Sequence, residues 1–144
     1  MVASVLEIKS KSISVSTKGN TDVIDVTTQM ERFLKEEGAK QGILTVFVVG
    51  STAGLTTIEY EPGLVHPLKE AFERMAAREA PYKHQERWGD DNGHSHIRAS
   101  LLGPSLTVPF LNGKLCLGTW QQIILVDFDT RPRERELIVQ IFGN

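Results

Sequence analysis

The chain has 144 residues, of which 40% are hydrophobic and 24% are charged, and its formal net charge is -2 at pH 7. This length predicts a single domain, residues 1–144, whose hydrophobic core is large enough for the fold to be stable without disulfides or a structural metal. The charge balance argues against electrostatic binding of nucleic acid or acidic lipid. With one cysteine, Cys116, and no membrane-length apolar stretch, we expect a cytoplasmic protein without intrachain disulfides.

The first half of the chain predicts one helix among three strands. The strands are expected at residues 2–16, 42–49 and 55–60, and the helix at residues 26–37. The first strand shifts its apolar pattern near Ser10–Ser12, which is typical of a bulge. Asp22 or Asp25 is available as the N-cap of the helix, and Gly38 as its stop. The run at residues 42–49 is apolar throughout, as expected of a central strand covered on both faces.

The second half predicts two helices followed by a series of strands. The helices are expected at residues 62–80 and 97–102, and the strands at residues 106–110, 115–117, 122–128 and 136–142. Asn112-Gly113 between two apolar runs indicates a hairpin. The element order predicts an α+β fold: a single domain with a mostly antiparallel sheet core, two main helices and one short helix.

Three of the four histidines, His84, His94 and His96, fall within 13 positions. Imidazole is a frequent metal ligand and a proton carrier at neutral pH. In an extended chain His94 and His96 point to the same side and can share a divalent ion, zinc or magnesium. In a helix they diverge, because residues i and i+2 do not face each other. Capping and exposed histidines are the alternative to a metal or catalytic cluster.

Other polar residues near the histidines suit a phosphorylated ligand. Asp90 is a candidate catalytic acid or metal ligand, although Asp90-Asp91-Asn92-Gly93 is also typical of a turn. Arg98 suits two-pronged phosphate binding, with a surface salt bridge as the alternative.

Further candidates lie outside the histidine segment. Ser51 and Thr52, in a turn between glycines, offer hydroxyls to phosphate, unless the turn is only a hairpin. Glu59 is a candidate base, and Gln121 a candidate ligand-binding residue at a glycine-containing strand junction. Its neighbour Trp120 is expected in the core.

The run Asn92-Gly93-His94-Ser95-His96-Ile97-Arg98 and the later run Leu117-Gly118-Thr119-Trp120-Gln121 resemble the YjbQ-like family, described as secondary thiamine-phosphate synthases. The resemblance implies an antiparallel α+β fold, a cytoplasmic homotrimer and weak synthesis of thiamine phosphate. It carries site roles over to His84, His96 and Glu59. Where many relatives have a histidine before the turn, this chain has Gly50, and His94 is the candidate replacement.

Three functions remain open on these grounds. The first is a metal-assisted transferase of thiamine-phosphate synthase type, which joins a pyrimidine methyl diphosphate to a thiazole phosphate. The second is a metal-dependent phosphoester hydrolase, with metal-bound water as its nucleophile. The third is a non-catalytic trimer that binds a metal or a metabolite. For all three functions we expect a phosphorylated small molecule as ligand, and neither nucleic acid nor a membrane as partner.

Overall fold

Antiparallel strands dominate the computed structural model, which describes residues 5–84, 89 and 91–144. The elements in chain order are β1 (Glu7–Thr17), β2 (Asp22–Asp25), α1 (Thr27–Glu37), β3 (Gln41–Val49), β4 (Ala53–Glu59), α2 (Pro62–Met75), α3 (Gly93–Leu102), β5 (Ser105–Leu111), β6 (Lys114–Leu115), β7 (Gln121–Asp127) and β8 (Arg133–Gly143). Every pairing between these strands is antiparallel. The predicted α+β class is therefore confirmed.

The strands form two sheets, with the orders β1-β8-β3-β5-β6 and β2-β7-β4. The main core lies between them, where side chains such as Leu44, Leu125 and Leu137 are buried together with Met30 and Phe33 of α1. A second cluster covers the other face of the smaller sheet, against α2 and α3. The successive layers are thus a five-stranded sheet, a three-stranded sheet and a pair of helices. This arrangement places α3 beside the ends of β4 and β7.

The predicted helix signals act largely as expected. Gly38, at φ 69°, ends α1 with its N–H donating to the carbonyl of Leu34. Asp25 accepts hydrogen bonds from the backbone N–H and the hydroxyl of Thr27, but the N-cap itself is Val26. Glu61 caps α2 by accepting from the N–H of Gly63. Among the described residues, no helix is both long and apolar enough to span a bilayer.

Helix α2 ends at Met75, five residues before the predicted end. The carbonyl of Ala76 accepts a hydrogen bond of 2.9 Å from Nε of Arg98, which lies on α3. A tertiary contact therefore takes up one of the carbonyl groups at the end of the helix. The spacing of apolar residues in the sequence does not reveal this contact, so the prediction extended the helix too far.

Two strand predictions are wrong. β1 pairs with β8 in one unbroken register from Glu7 opposite Gly143 to Thr17 opposite Arg133, so it has no bulge. The apparent shift arose because Ile8 faces the exposed side of the sheet. β3 is central in its sheet but is covered on one face only, since Ile43 is exposed while its neighbour Leu44 is buried. The start of the predicted first strand, residues 2–4, lies outside the described residues.

Candidate functional site

A buried polar cluster occupies one end of the ladder between β4 and β7. Ala53, the first residue of β4, lies opposite Asp127, the last residue of β7. Asp127 and Asp129 are both almost fully buried, and Thr52 lies beside them. Buried carboxylates require charged or hydrogen-bonding partners, so the surroundings of these two residues define the chemistry of this end of the fold.

Asp127 is paired with Arg135 in a two-pronged ion pair. Nε and Nη2 of Arg135 donate to Oδ2 and Oδ1 of Asp127 at 2.7 and 2.8 Å. The hydroxyl of Thr17 also donates to Oδ2, at 2.5 Å. Burial raises the pKa of Asp127, but the hydrogen bonds from Arg135 and Thr17, the backbone N–H of Asp129 and the charge of Arg135 outweigh it and lower that pKa below its ordinary value. The carboxylate is therefore ionised at neutral pH.

Asp129 joins the arginine-rich strand β8 to the histidine segment. It accepts from Nε of Arg133 at 3.0 Å, from the hydroxyl of Thr52 at 3.1 Å and from Nδ2 of Asn92 at 3.4 Å. Burial raises the pKa of Asp129, while hydrogen bonds from the backbone of Thr130, from Arg133 and from Thr52 lower it overall. Asp129 thus holds Asn92 and Thr52, which come from distant parts of the sequence, around one negative charge.

His84 and His96 form a ring pair beside this cluster. Their ring centroids are 4.7 Å apart with an interplanar angle of 59°. Nε2 of His84 lies 3.1 Å from Oδ1 of Asn92, the N-cap residue of α3. Gly93 follows, and a Cβ there would lie 2.5 Å from the Cβ of Tyr82. Glycine therefore permits the close approach that brings the segment before α3, with His84, against the start of the helix.

His94 points away from this pair, because α3 includes both His94 and His96 and residues i and i+2 of a helix diverge. Its side chain is buried, with 2% of the residue exposed, and its Nδ1 has no hydrogen-bond partner in the described structure. Burial lowers the pKa of His94, and the charges of Arg98 and Arg78 lower it further, against smaller opposite effects of Glu73 and Asp91. His94 is therefore neutral at pH 7.

The predicted metal-binding trio is not assembled in the part of the chain that the structure covers. No group of three His, Cys, Asp or Glu side chains among the described residues is placed to hold a metal ion. His84 and His96 supply two imidazoles, but His94 lies on a different face of α3. A zinc site of the usual kind needs at least three protein ligands, so the described donor set does not fit one. Asp90 lies outside the described residues.

Arg98 is engaged inside the protein rather than presented on the histidine side. Its guanidinium donates to the carbonyl of Ala76 at 2.9 Å, to the hydroxyl of Thr21 at 3.1 Å and to Glu73 at 2.5 Å. Only 6% of its side chain is exposed. Arg98 thus braces α3 against α2 through a salt bridge, the alternative weighed against phosphate binding, with its own guanidinium buried and the Glu73 carboxylate half exposed.

The remaining candidates lie at opposite ends of β4. Ser51 is exposed in the turn before the strand, and Thr52 belongs to the buried cluster. Glu59 ends the strand, opposite Gln121 of β7. Six residues of extended chain separate Ala53 from Glu59, a distance of roughly 20 Å. The structure therefore groups Thr52 with the histidine pair, and Glu59 with Gln121 at the far end of the ladder.

Gln121 has a structural partner at that end. Its side-chain amide donates to the hydroxyl of Thr57 at 3.1 Å, and its side-chain carbonyl accepts from the N–H of Gly118 at 3.0 Å. The expectation that Trp120 lies in the core is wrong, because 70% of this residue is exposed. The bonds of Gln121 fix the junction before β7 and leave the neighbouring indole on the surface.

Sequence reasoning missed the four charged residues that build the cluster: Asp127, Asp129, Arg133 and Arg135. Each pair has a spacing of two, which places both members on the same side of an extended chain. The signal was present, since the acidic pair closes an apolar strand and the basic pair opens the next one. Charges at strand ends are usually solvated, so the pattern alone did not predict burial.

Comparison with known proteins agrees with the fold and with the motifs. The family model described as "UPF0047 protein YjbQ-like" matches residues 11–144. A UPF0047 protein of Methanothermobacter thermautotrophicus is 35% identical over 138 residues, covering 96% of this chain and 94% of that protein. One from Archaeoglobus fulgidus is 36% identical over 128 residues, covering 89% and 97% respectively.

Solved structures add the same likeness in three dimensions. A protein of Sulfolobus solfataricus P2, described as YbjQ-like and of unknown function, superposes with a TM-score of 0.92 at 34% identity, over 97% of this chain and 100% of its own. A hypothetical protein of Aeropyrum pernix K1 gives 0.87 at 33% identity, over 94% and 99%. With its sequence matched nearly end to end and its fold shared, the chain belongs to the UPF0047 YjbQ-like family.

Proposed function

We propose that the chain is an enzyme that acts on a phosphorylated small molecule, and that the first reaction to test is the joining of a pyrimidine methyl diphosphate to a thiazole phosphate. The observation that carries the proposal is the His84–His96 ring pair, linked through Asn92 to the ionised Asp129. The reaction type comes from the family resemblance, and the choice of residues comes from this geometry.

In this reaction the thiazole nitrogen attacks the methylene carbon of the pyrimidine. A C–N bond forms, the C–O bond to the diphosphate breaks, and pyrophosphate leaves with the electron pair of that bond. His84 or His96 is the proposed proton donor to the leaving oxygen, since imidazole is the side chain most often used as a general acid. Since the described donors do not fit a protein-held metal site, magnesium enters the proposal only with the diphosphate substrate.

The turn at Ser51–Thr52 is the proposed binding region for a phosphate group. Thr52 is held by Asp129 and by Arg135, whose Nη2 donates to its hydroxyl at 2.6 Å. The neighbouring Ser51 is exposed and has room to contact a ligand. Positioning of two reactants can supply roughly 7–11 kcal/mol of a barrier, which suits a reaction whose two substrates supply both the nucleophile and the leaving group.

The test is a direct assay of the purified chain with both substrates and magnesium, read as thiamine phosphate formed. We expect product from the unmodified chain and at least a hundredfold loss in His96→Ala. His66→Ala is the matched control, because His66 is a histidine on the exposed side of α2, paired with Glu70, and its loss should change turnover less than twofold. No product above the His96→Ala background would remove the proposed reaction. Release of inorganic phosphate from simple esters would favour a hydrolase instead.

We also propose that the chain is a cytoplasmic homotrimer, as the family resemblance implies. A row of exposed apolar side chains crosses the outer face of the larger sheet: Ile8, Phe142, Ile43 and Pro109. Contiguous exposed apolar surface of this kind often marks a protein interface. Light scattering should give three times the chain mass of 16.0 kDa. Phe142→Asp should lower the mass, whereas Leu101→Asp, at an exposed apolar position on α3, should not.

A further inference from the structure

One nitrogen of the buried Arg135 guanidinium, Nη1, forms no hydrogen bond within the cluster. Nε and Nη2 are engaged by Asp127 and Thr52, as described, and the side chain is 8% exposed. Nη1 has no hydrogen-bond partner among the described residues. The sole fully buried, unpartnered side-chain nitrogen or oxygen in that part of the chain is His94 Nδ1. It follows that Nη1 of Arg135 is reached by solvent.

Nη1 lies against the backbone of Gly50, which is at the surface. A Cβ built on Gly50 would lie 2.7 Å from Nη1, closer than real Cβ atoms approach a nitrogen. Gly50 is exposed and has φ +141°, a conformation that residues with a side chain rarely adopt. Glycine therefore lets Nη1 lie directly against the backbone, and the surface where Nη1 emerges beside Gly50 and the hydroxyl-bearing Ser51 is called the niche.

We propose that this niche, formed by Gly50, Ser51 and Arg135, binds an oxygen of a phosphate group. A guanidinium only donates and stays charged at every accessible pH, so it selects an anionic acceptor. The inference rests on the proposed function, because it names the place where the phosphate of the small molecule binds. The niche connects to the imidazole pair through Thr52, Asp129 and Asn92, so ligand and proton donor share one framework.

The surrounding charges predict that the niche binds an anion with modest affinity. Asp127 offsets the charge of Arg135, so the niche works through an oriented N–H more than through net charge. The flanking residues Glu134 and Glu136 lie on the other face of β8, where they accept hydrogen bonds from serines of β1. Neither carboxylate occupies the space over Gly50, which leaves Nη1 to an external acceptor.

Calorimetric titration with inorganic phosphate tests the niche, using Gly50→Ala and Gly103→Ala as a matched pair. Both glycines have positive φ, +141° and +97°, so both substitutions strain the backbone, but a Cβ on Gly103 meets nothing within 4 Å. We expect saturable binding by the unmodified chain, at least tenfold weaker binding by Gly50→Ala, and a change below twofold in Gly103→Ala. Equal affinity in Gly50→Ala, or acetate binding as tightly as phosphate, would overturn the proposal.

A second measurement needs no variant and covers the case in which Gly50→Ala does not fold. The guanidinium ¹⁵N resonances of Arg135 should shift on addition of phosphate, while those of Arg98, which is braced inside the protein, should not. Absence of a shift at saturating phosphate would also overturn the niche. Phosphate binding without any turnover would count against the proposed reaction alone, and turnover without phosphate binding at Gly50 would count against the niche alone.

Discussion

Oδ1 of Asn92 faces Nε2 of His84 at 3.1 Å, and this contact assigns the tautomer of the imidazole. Nδ2 of Asn92 faces Oδ1 of Asp129, an ionised carboxylate that can only accept. Asn92 must therefore donate to Asp129 and accept from His84. Nε2 of His84 carries the hydrogen, and Nδ1 carries the lone pair when the ring is neutral.

The first prediction is that ¹⁵N NMR at pH 8 finds His84 in the Nε2–H form, and that Asn92→Ala restores a mixture of tautomers. The reason is that alanine removes the acceptor that selects one form. His66, which lies 2.9 Å from Glu70 on the exposed side of α2, is the internal reference and should not respond. An unchanged His84 spectrum in Asn92→Ala would show that Asn92 does not set the tautomer.

The second prediction concerns stability. Arg135→Ala leaves Asp127 buried without its counter-charge, which costs about 3–5 kcal/mol in the free energy of unfolding. Arg133→Ala also removes an ion-pair partner, that of Asp129, but the side chain of Arg133 is 42% exposed. We therefore expect a loss of about 1 kcal/mol or less in the free energy of unfolding. Urea denaturation of both variants makes the comparison. Equal losses in the free energy of unfolding would mean that the buried Asp127–Arg135 pair stabilises the fold no more than the exposed pair does.

The third prediction is acid sensitivity of the fold. The pKa values of Asp127 and Asp129 are lowered in the folded chain, below the ordinary 3.8. The unfolded chain therefore binds more protons as acid is added. The stabilisation is fully present above pH 3.8 and is lost as pH falls through the folded pKa values. Unfolding measured from pH 6 to pH 2 should show this slope, and it should be shallower in Asp127→Asn.

The fourth prediction uses the buried His94. Its pKa is lowered below 6.5, so the unfolded chain takes up the proton first and the free energy of unfolding falls as pH drops below 6.5. His94→Leu removes this dependence, since leucine does not titrate. At pH 8 the variant should lie within about 1 kcal/mol of the unmodified chain, because Nδ1 has no partner and Nε2 loses only a 3.4 Å contact with the hydroxyl of Ser95, which keeps its bond to the carbonyl of Phe128. An identical slope between pH 7 and pH 5 in both proteins would rule out His94 as its source.

Most of the fold could be predicted from local patterns. The Asn112-Gly113 hairpin, the Gly38 stop and the helix after Pro62 all depend on neighbours in sequence, and the structure confirms them. β2 was missed because its four residues include two aspartates that read as helix caps. It exists because β7 pairs with it, and pairing between distant segments leaves little trace in local composition.

The site was predictable only in part. The sequence identified His84, His96 and Thr52, which the structure places around one polar cluster. It also selected Glu59 and Gln121, which belong to the opposite end of the same ladder. The register between β4 and β7 decides which of these residues belong to the polar cluster. Register follows from the pairing of whole strands rather than from the residue types at one position.

Strand β1 lies at an edge of the larger sheet, and its lysines restrain what that edge can do. Lys9 and Lys11 point to the side that carries the core further along the strand, where they pair with Glu7 and Glu36. Lys11 also lies over the ring of Phe33, 5.8 Å from its centroid. Inward charges on an open strand oppose the addition of a foreign strand. Fibrillar growth from this border is thereby discouraged.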